Sequence, residues 1–303
     1  MRDPAELVNF LTQPHAGERL VLIEALDGFV DAGQGVRLAR EHLAESFEPQ
    51  TVVRFDVDEL LDHRSRRPVL LFDTDHWEDY EAPTISVQLY HDANRTPFLL
   101  LDGPEPDVQW ERFIAAVFIV VERIGVRLTV GLHSVPWAAP HTRPIMVTSH
   151  GRPQELLATP PLGIGKVRVP ASVGHLLEYR LGVAGHAAIG FAAHTPYYLS
   201  NVEYPSATVA LLESVERAAG LSLALDPLRS RALEVESAID SQIADNEQVR
   251  SLVRQLEEHD EPTPGYGISA DESEIPTAEE LGADFQRFLA ERARRPNLDD
   301  PPA

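Results

Sequence analysis

Asp31, Glu105, His141, Arg143 and Tyr197 each follow an apolar run that reads as a β-strand. A carboxylate pair beside a His and an Arg could move a proton or hold a small anion, if the fold brings those loops to one edge. The plainer reading is structural: Arg143 pairs with Glu105 to lock two loops, and His141 is a packed hydrogen-bond donor. Arg64 and Arg67 sit in Asp62-His-Arg64-Ser-Arg66-Arg67-Pro68, a basic knot in an acidic chain. They suit nearby carboxylates, within or between subunits, or an anionic ligand. Asp73-Thr-Asp75-His76-Trp-Glu78-Asp79 gathers oxygens around one His, but its spacing matches no ligand motif, and a solvated loop is expected. Gly28-Phe-Val-Asp31-Ala-Gly33-Gln-Gly35 invites a phosphate-cradle reading. Asp31 would repel the anion there, so a helix-capping turn is expected instead. Gly131-Leu-His133-Ser134 is not a nucleophile elbow. No catalytic set, metal site or cofactor is expected.

These residues need strands that end together. Leu20 to Leu26 is apolar enough to be covered on both faces, as in α/β sheets. A helix with Val36, Ala39, Leu43 and Phe47 on one stripe follows. Thr51 to Val57, Val69 to Phe72 and Thr84 to Tyr90 read as further strands, and Pro97 to Leu101 as a central one. The next helix carries Trp110, Phe113, Ile114, Val117, Val121 and Ile124 inward and stops at Gly125. Leu128, Val130 and Leu132 then form a buried strand, so residues 97–132 make one right-handed strand–helix–strand unit. Pro136, Pro140 and Pro144 stiffen the loop that presents His141, Thr142 and Arg143 at the carboxyl end of that strand, and Ile145 and Val147 open another. Ala187 to Ala193 is a small-residue strand leading to Pro196-Tyr197-Tyr198, and Pro205 opens a helix with Leu211, Leu212, Val215 and Ala219 inward.

Four parts follow: an α/β core over 1–222, a helical extension over 223–257, an acidic flexible linker over 258–276, and a short helix and tail over 277–303. The extension has two apolar seams, Leu228, Ala232, Val235, Ile239, Ile243 and then Val249, Leu252, Val253, Leu256. They are expected to pack on the core or on a neighbouring subunit. Residues 257–303 hold 13 acids and 4 arginines; within them the linker over 258–276, without Lys or Arg and with scattered Pro and Gly, has the composition of a segment unable to offset its ordering entropy.

Composition narrows the function classes. The chain of 303 residues has no Cys, which excludes disulfides, thiolate metal sites and a Cys nucleophile. Its one lysine, Lys166, is followed by Val-Arg-Val and lies in no Walker A loop. A net charge of −22 disfavours nucleic acid and anionic membranes. No apolar run reaches the length of a spanning helix and MRDPAELVNF lacks a signal-peptide pattern, so a cytoplasmic protein is expected.

Taken together, several stretches resemble the PAC2 family, the proteasome-assembly-chaperone-2-like proteins. They are Gly28-Phe-Val-Asp31-Ala-Gly33, Asp62-His-Arg64-Ser-Arg66-Arg67-Pro68, Gly103-Pro-Glu105-Pro with Trp110 and Phe113, Pro140-His141-Thr142-Arg143-Pro144, and Pro196-Tyr197-Tyr198 with Pro205-Ser-Ala207-Thr. The resemblance implies an α/β fold with a central mixed sheet, similar to the three-layer phosphorylase/hydrolase-like sandwich. It also implies no established catalysis and a homo-oligomer, with a trimer favoured. Relatives include chaperones that build proteasome rings, so a non-enzymatic oligomeric scaffold or assembly factor with a protein partner is expected. The alternative is a small-anion or nucleoside-like ligand-binding protein or hydrolase that uses the loops at the strand ends. Two departures stand out. Val169-Pro170-Ala-Ser-Val-Gly174 replaces the family's Tyr-x-Gly-Pro-Thr-Gly-type loop. The ending Asp299-Asp-Pro-Pro-Ala303 lacks the hydrophobic–Tyr–any tail of some relatives, so docking through that tail is not expected.

Overall fold

The computed structural model describes residues 2–12, 20–157, 166, 168–244 and 247–259, without the side chains of 248 and 259. The expected terminal helix and almost all of the expected acidic linker lie outside the described residues. The chain divides into two units, 1–161 with 172–262 and 162–171 with 263–303. Of the second only Lys166 and residues 168–171 are described, all without helix or strand; everything below concerns the first.

Strands β1 (Val8–Phe10), β2 (Val21–Asp27), β3 (Gln50–Phe55), β6 (Ser86–His91), β7 (Pro97–Pro104), β8 (Leu128–Trp137), β9 (Val147–Arg152) and β10 (Ala188–Pro196) form one mixed sheet. Its order is β1-β3-β6-β7-β2-β8-β10-β9. The inner four, β7, β2, β8 and β10, run parallel, so their carboxyl ends share one edge. The two remaining strands, β4 (Leu70–Asp73) and β5 (His76–Tyr80), pair only with each other. The expected solvated loop over Asp73–Asp79 is therefore a tight turn and a second strand. The aromatic Trp77 and Tyr80 suit a strand, and they favour the arm once Leu70–Phe72 supplies a partner.

Strand β2 shows how the sheet is covered. Val21, Ile23 and Ala25 enter the core made with α1 (Gly35–Ser46), α4 (Pro205–Ala219) and α5 (Asp226–Ala244). Leu20, Leu22 and Leu26 enter the core made with α2 (Trp110–Ile124) and α3 (Val173–Val183). Period-two alternation with both sets apolar is what a strand covered on both sides requires. Leu228 and Ile239 of the α5 seam are buried, with Val235 and Ile243 packed beside them. That seam is used inside the chain, and it does not supply the surface for a neighbour. A last helix, α6 (Glu247–His259), follows, with Val253 buried. No helix among the described residues is long and apolar enough to cross a membrane.

Candidate functional site

The loops at the carboxyl edge hold the residues singled out by sequence, but each has a separate partner. Asp31 accepts from the Val36 amide at 2.9 Å and the Arg37 amide at 3.1 Å, capping α1 as expected. Burial raises its carboxyl while those amides pull it back. His141 is buried beneath α5: the Tyr198 hydroxyl accepts from its amide at 2.7 Å and is bonded to Nδ1, also at 2.7 Å. With the hydroxyl donating to Nδ1, the ring proton falls on Nε2, 3.1 Å from Asp240 Oδ1. Thr142 Oγ1 donates to Glu257 Oε1 at 2.5 Å and Arg143 Nη2 to the Glu257 carbonyl at 2.9 Å. Pro140–Pro144 is thus the seat on which α5 and α6 dock.

The expected Arg143–Glu105 pair is not formed. Glu105 Oε1 instead accepts from the Val173 amide at 2.5 Å, the first N–H of α3. A free helix N-terminus outcompetes a guanidinium already held by α6. Tyr197 is half-buried with its ring against Tyr198, centroids 5.7 Å apart. Arg64 and Arg67 are exposed; Arg64 reaches Asp62, and neighbouring Arg66 reaches Asp107 at 3.0 Å.

A second group, not singled out by sequence, lies between the sheet and α3. Glu24, Gly131, Gly190 and His150 form one register row across β2, β8, β10 and β9. Two glycines in the middle of the row leave a trough, and α3 lies over it. A Cβ on Gly190 would stand 2.2 Å from the His150 ring and 2.5 Å from Glu178 Oε2, and one on Gly174 would stand 2.5 Å from Glu24 Oε2. His133, two residues along β8 from Gly131, has its ring centroid 4.1 Å from that of His175 and 5.7 Å from that of His150. His150 Nδ1 is 3.0 Å from Glu178 Oε1, and His175 Nδ1 is 2.9 Å from Ser172 Oγ.

Glu24 is buried in this trough, and His133 and His175 are partly buried. Burial pushes the Glu24 carboxyl up to about 7; its bond from the Leu26 amide offsets part of that, while Glu105 and Glu178 add to it. Burial, with the other two imidazoles nearby, holds His133 well below the usual imidazole range. Burial likewise lowers His175. His133 Nε2 is buried without a hydrogen-bond partner, and Glu178 Oε2 lies 3.0 Å from His150 Nδ1. One clue to this group stood in the sequence: Glu24 interrupts Leu20, Leu22 and Leu26 on a face otherwise wholly apolar.

A third feature is the β4–β5 hairpin. Every residue of both strands is exposed. Phe72 (54%), Trp77 (64%), Val69 (60%), Leu70, Leu71 and Tyr80 are all large hydrophobics in water. Phe72 and Trp77 pair across the strands, ring centroids 4.9 Å apart.

The PAC2 family model matches residues 25–243. Among solved structures, a Mycobacterium tuberculosis protein of unknown function, Rv2714, is 39% identical at a TM-score of 0.78, over 95% of this chain and 92% of that one. A Corynebacterium glutamicum protein of unknown function is 32% identical at 0.78, over 83% and 96%. The Mycobacterium tuberculosis proteasome-assembly chaperone homologue Rv2125 is 25% identical at 0.70, over 77% and 100%. No curated protein matches the sequence significantly.

Proposed function

The chain belongs to the PAC2 family, and from that premise we propose that it is a non-enzymatic assembly factor that oligomerises with itself and receives a protein partner. The observation that carries this reading is the β4–β5 hairpin. An isolated two-stranded hairpin is marginal in water, and six large apolar side chains on one arm exceed the scattered exposure ordinary in a monomer. Such an arm is stabilised when it lies on another chain. Arg64 and Arg67 stand just before it, and a cationic margin suits a surface with an acidic rim, which a second copy of net charge −22 provides.

An arm laid on a different patch of the neighbour is a heterologous contact, and such contacts form a ring when the rotation between subunits closes. A trimeric ring is the form expected. A proteasome-assembly chaperone homologue among the similar structures supports a protein as the further partner.

Light scattering on the full chain tests the reading. The expected mass at micromolar concentration is a multiple of 33.6 kDa, three-fold for the ring, and a Phe72→Ser, Trp77→Ser double variant falls to the monomer. A clean wild-type monomer sinks the proposal.

A further inference from the structure

We propose that His133, His150 and Glu178, with His175 as a fourth side chain, form a binding site for one divalent transition-metal cation of the zinc type. One ligand atom from each of the first three residues lies within 4.8 Å of the other two. Tetrahedral zinc, with arms of about 2.0–2.2 Å, sets its ligand atoms about 3.4 Å apart. His150 Nδ1 and Glu178 already stand 3.0 Å apart, inside that spacing.

Two independent observations point to a cation. First, His133 Nε2 is buried with no hydrogen-bond partner, and the Glu178 carboxylate stands 3.0 Å from the His150 ring. A buried polar nitrogen left unpaired destabilises a fold, and a cation held between it and the carboxylate satisfies it. Second, the floor is open because Gly190 carries no side chain: a Cβ there would collide with the His150 ring and with Glu178 Oε2. Behind the cluster, Ser172 Oγ holds His175 Nδ1 and leaves Nε2 as the atom it can offer. Such outer contacts orient metal-binding imidazoles.

Two or three imidazoles with one carboxylate suit zinc and its neighbours, whereas calcium and magnesium take oxygen. The donors come from β8, β9 and α3, so a bound cation would strap the helix to the edge of the sheet. His76 with Asp75 and Glu78 on the hairpin is the nearest rival by composition, but all three are exposed and already bonded to one another.

The test uses the full, untagged chain, stripped with a chelator and titrated with Zn²⁺ against a chromophoric competitor of micromolar affinity. One equivalent is expected to leave the competitor. Glu178→Gln and His150→Gln each weaken uptake at least tenfold, and His76→Ala leaves it unchanged. The proposal is overturned if the wild type takes no zinc from the competitor, if both site variants match the wild type, or if His76→Ala abolishes uptake. Should a site variant fail to fold by circular dichroism, zinc-edge X-ray absorption of the wild type decides. Scattering from at least two imidazoles is expected, and an oxygen-only shell overturns the site.

Discussion

The β4–β5 hairpin keeps Phe72 and Trp77 in water, whereas the trough beneath α3 keeps Glu24, His133 and Glu178 largely out of it. Each inverts the ordinary partition of apolar and ionisable groups, in opposite directions. Local rules are usually broken where a molecule meets something else. The two inversions nevertheless differ in what sustains them. The trough is held by a register row, two sheet glycines and a helix whose first amide is bonded to Glu105. The hairpin is held by one cross-strand ladder and an aromatic pair. Damage to the trough should therefore reach the whole fold, and damage to the hairpin should stay local.

His194 measures what burying an imidazole costs outside the trough. Its ring stacks on Trp137 with centroids 4.1 Å apart, Thr148 Oγ1 lies 2.7 Å from Nε2, and Nδ1 has no partner. Burial pulls its pKa to about 4 from 6.5. The unfolded chain then binds a proton that the folded chain refuses, so stability falls as pH drops through 6.5 and levels off below 4. At about 1.4 kcal/mol per pKa unit, the loss is about 3 kcal/mol. His133 and His175 act in the same direction, so the His194→Gln difference isolates this residue. Urea unfolding of the two proteins between pH 7 and 4 should give converging curves; parallel curves would remove the assignment.

Within the trough, the glycines should rank by the contacts that a Cβ would meet. Gly190→Ala brings a Cβ to 2.2 Å from the His150 ring and should cost about 1–3 kcal/mol. Gly131→Ala meets His133 Nε2 at 3.3 Å and Glu24 Oε2 at 3.4 Å and should cost less, about 1 kcal/mol or below. Equal losses for both in denaturant unfolding would mean that the row is not a packed floor.

The frame was legible because it follows periodicity. The strand from Leu20, the helix stripe of Val36, Ala39 and Leu43, the amphipathic run from Trp110 to Ile124 and the seam from Leu228 all lie where their spacing puts them. Asp31 was legible as a cap because capping is local. The trough was not, because Glu24, His133, His150, His175 and Glu178 meet only through the strand order β2-β8-β10-β9, which no local pattern carries. Helix α3 escaped notice as well. Ser172 caps it and Val173, Leu177 and Leu181 recur every four residues, but Gly174 and Gly182 interrupt its helical composition. Arg143 and Glu105 share an edge as expected, yet which partner each takes depends on α3 and α6.

The smallest expected effect is the sharpest test of the contrast. Trp77→Ser removes the larger ring of the Phe72–Trp77 pair, and an aromatic pair contributes about 0.5–1.5 kcal/mol beyond its area. Here that energy holds one arm to itself. Both strands are exposed along their whole length and pair with no other strand, so the arm can open without disturbing either core. At a dilution where light scattering gives the mass of one chain, urea unfolding followed by far-UV circular dichroism should shift by less than about 0.5 kcal/mol. Amide exchange between residues 70 and 80 should rise severalfold over the same comparison, while β2 and β8 remain protected. A loss of several kcal/mol in the global transition would tie the hairpin to the core, and the exposed arm would then be a structural element of the monomer with no docking role.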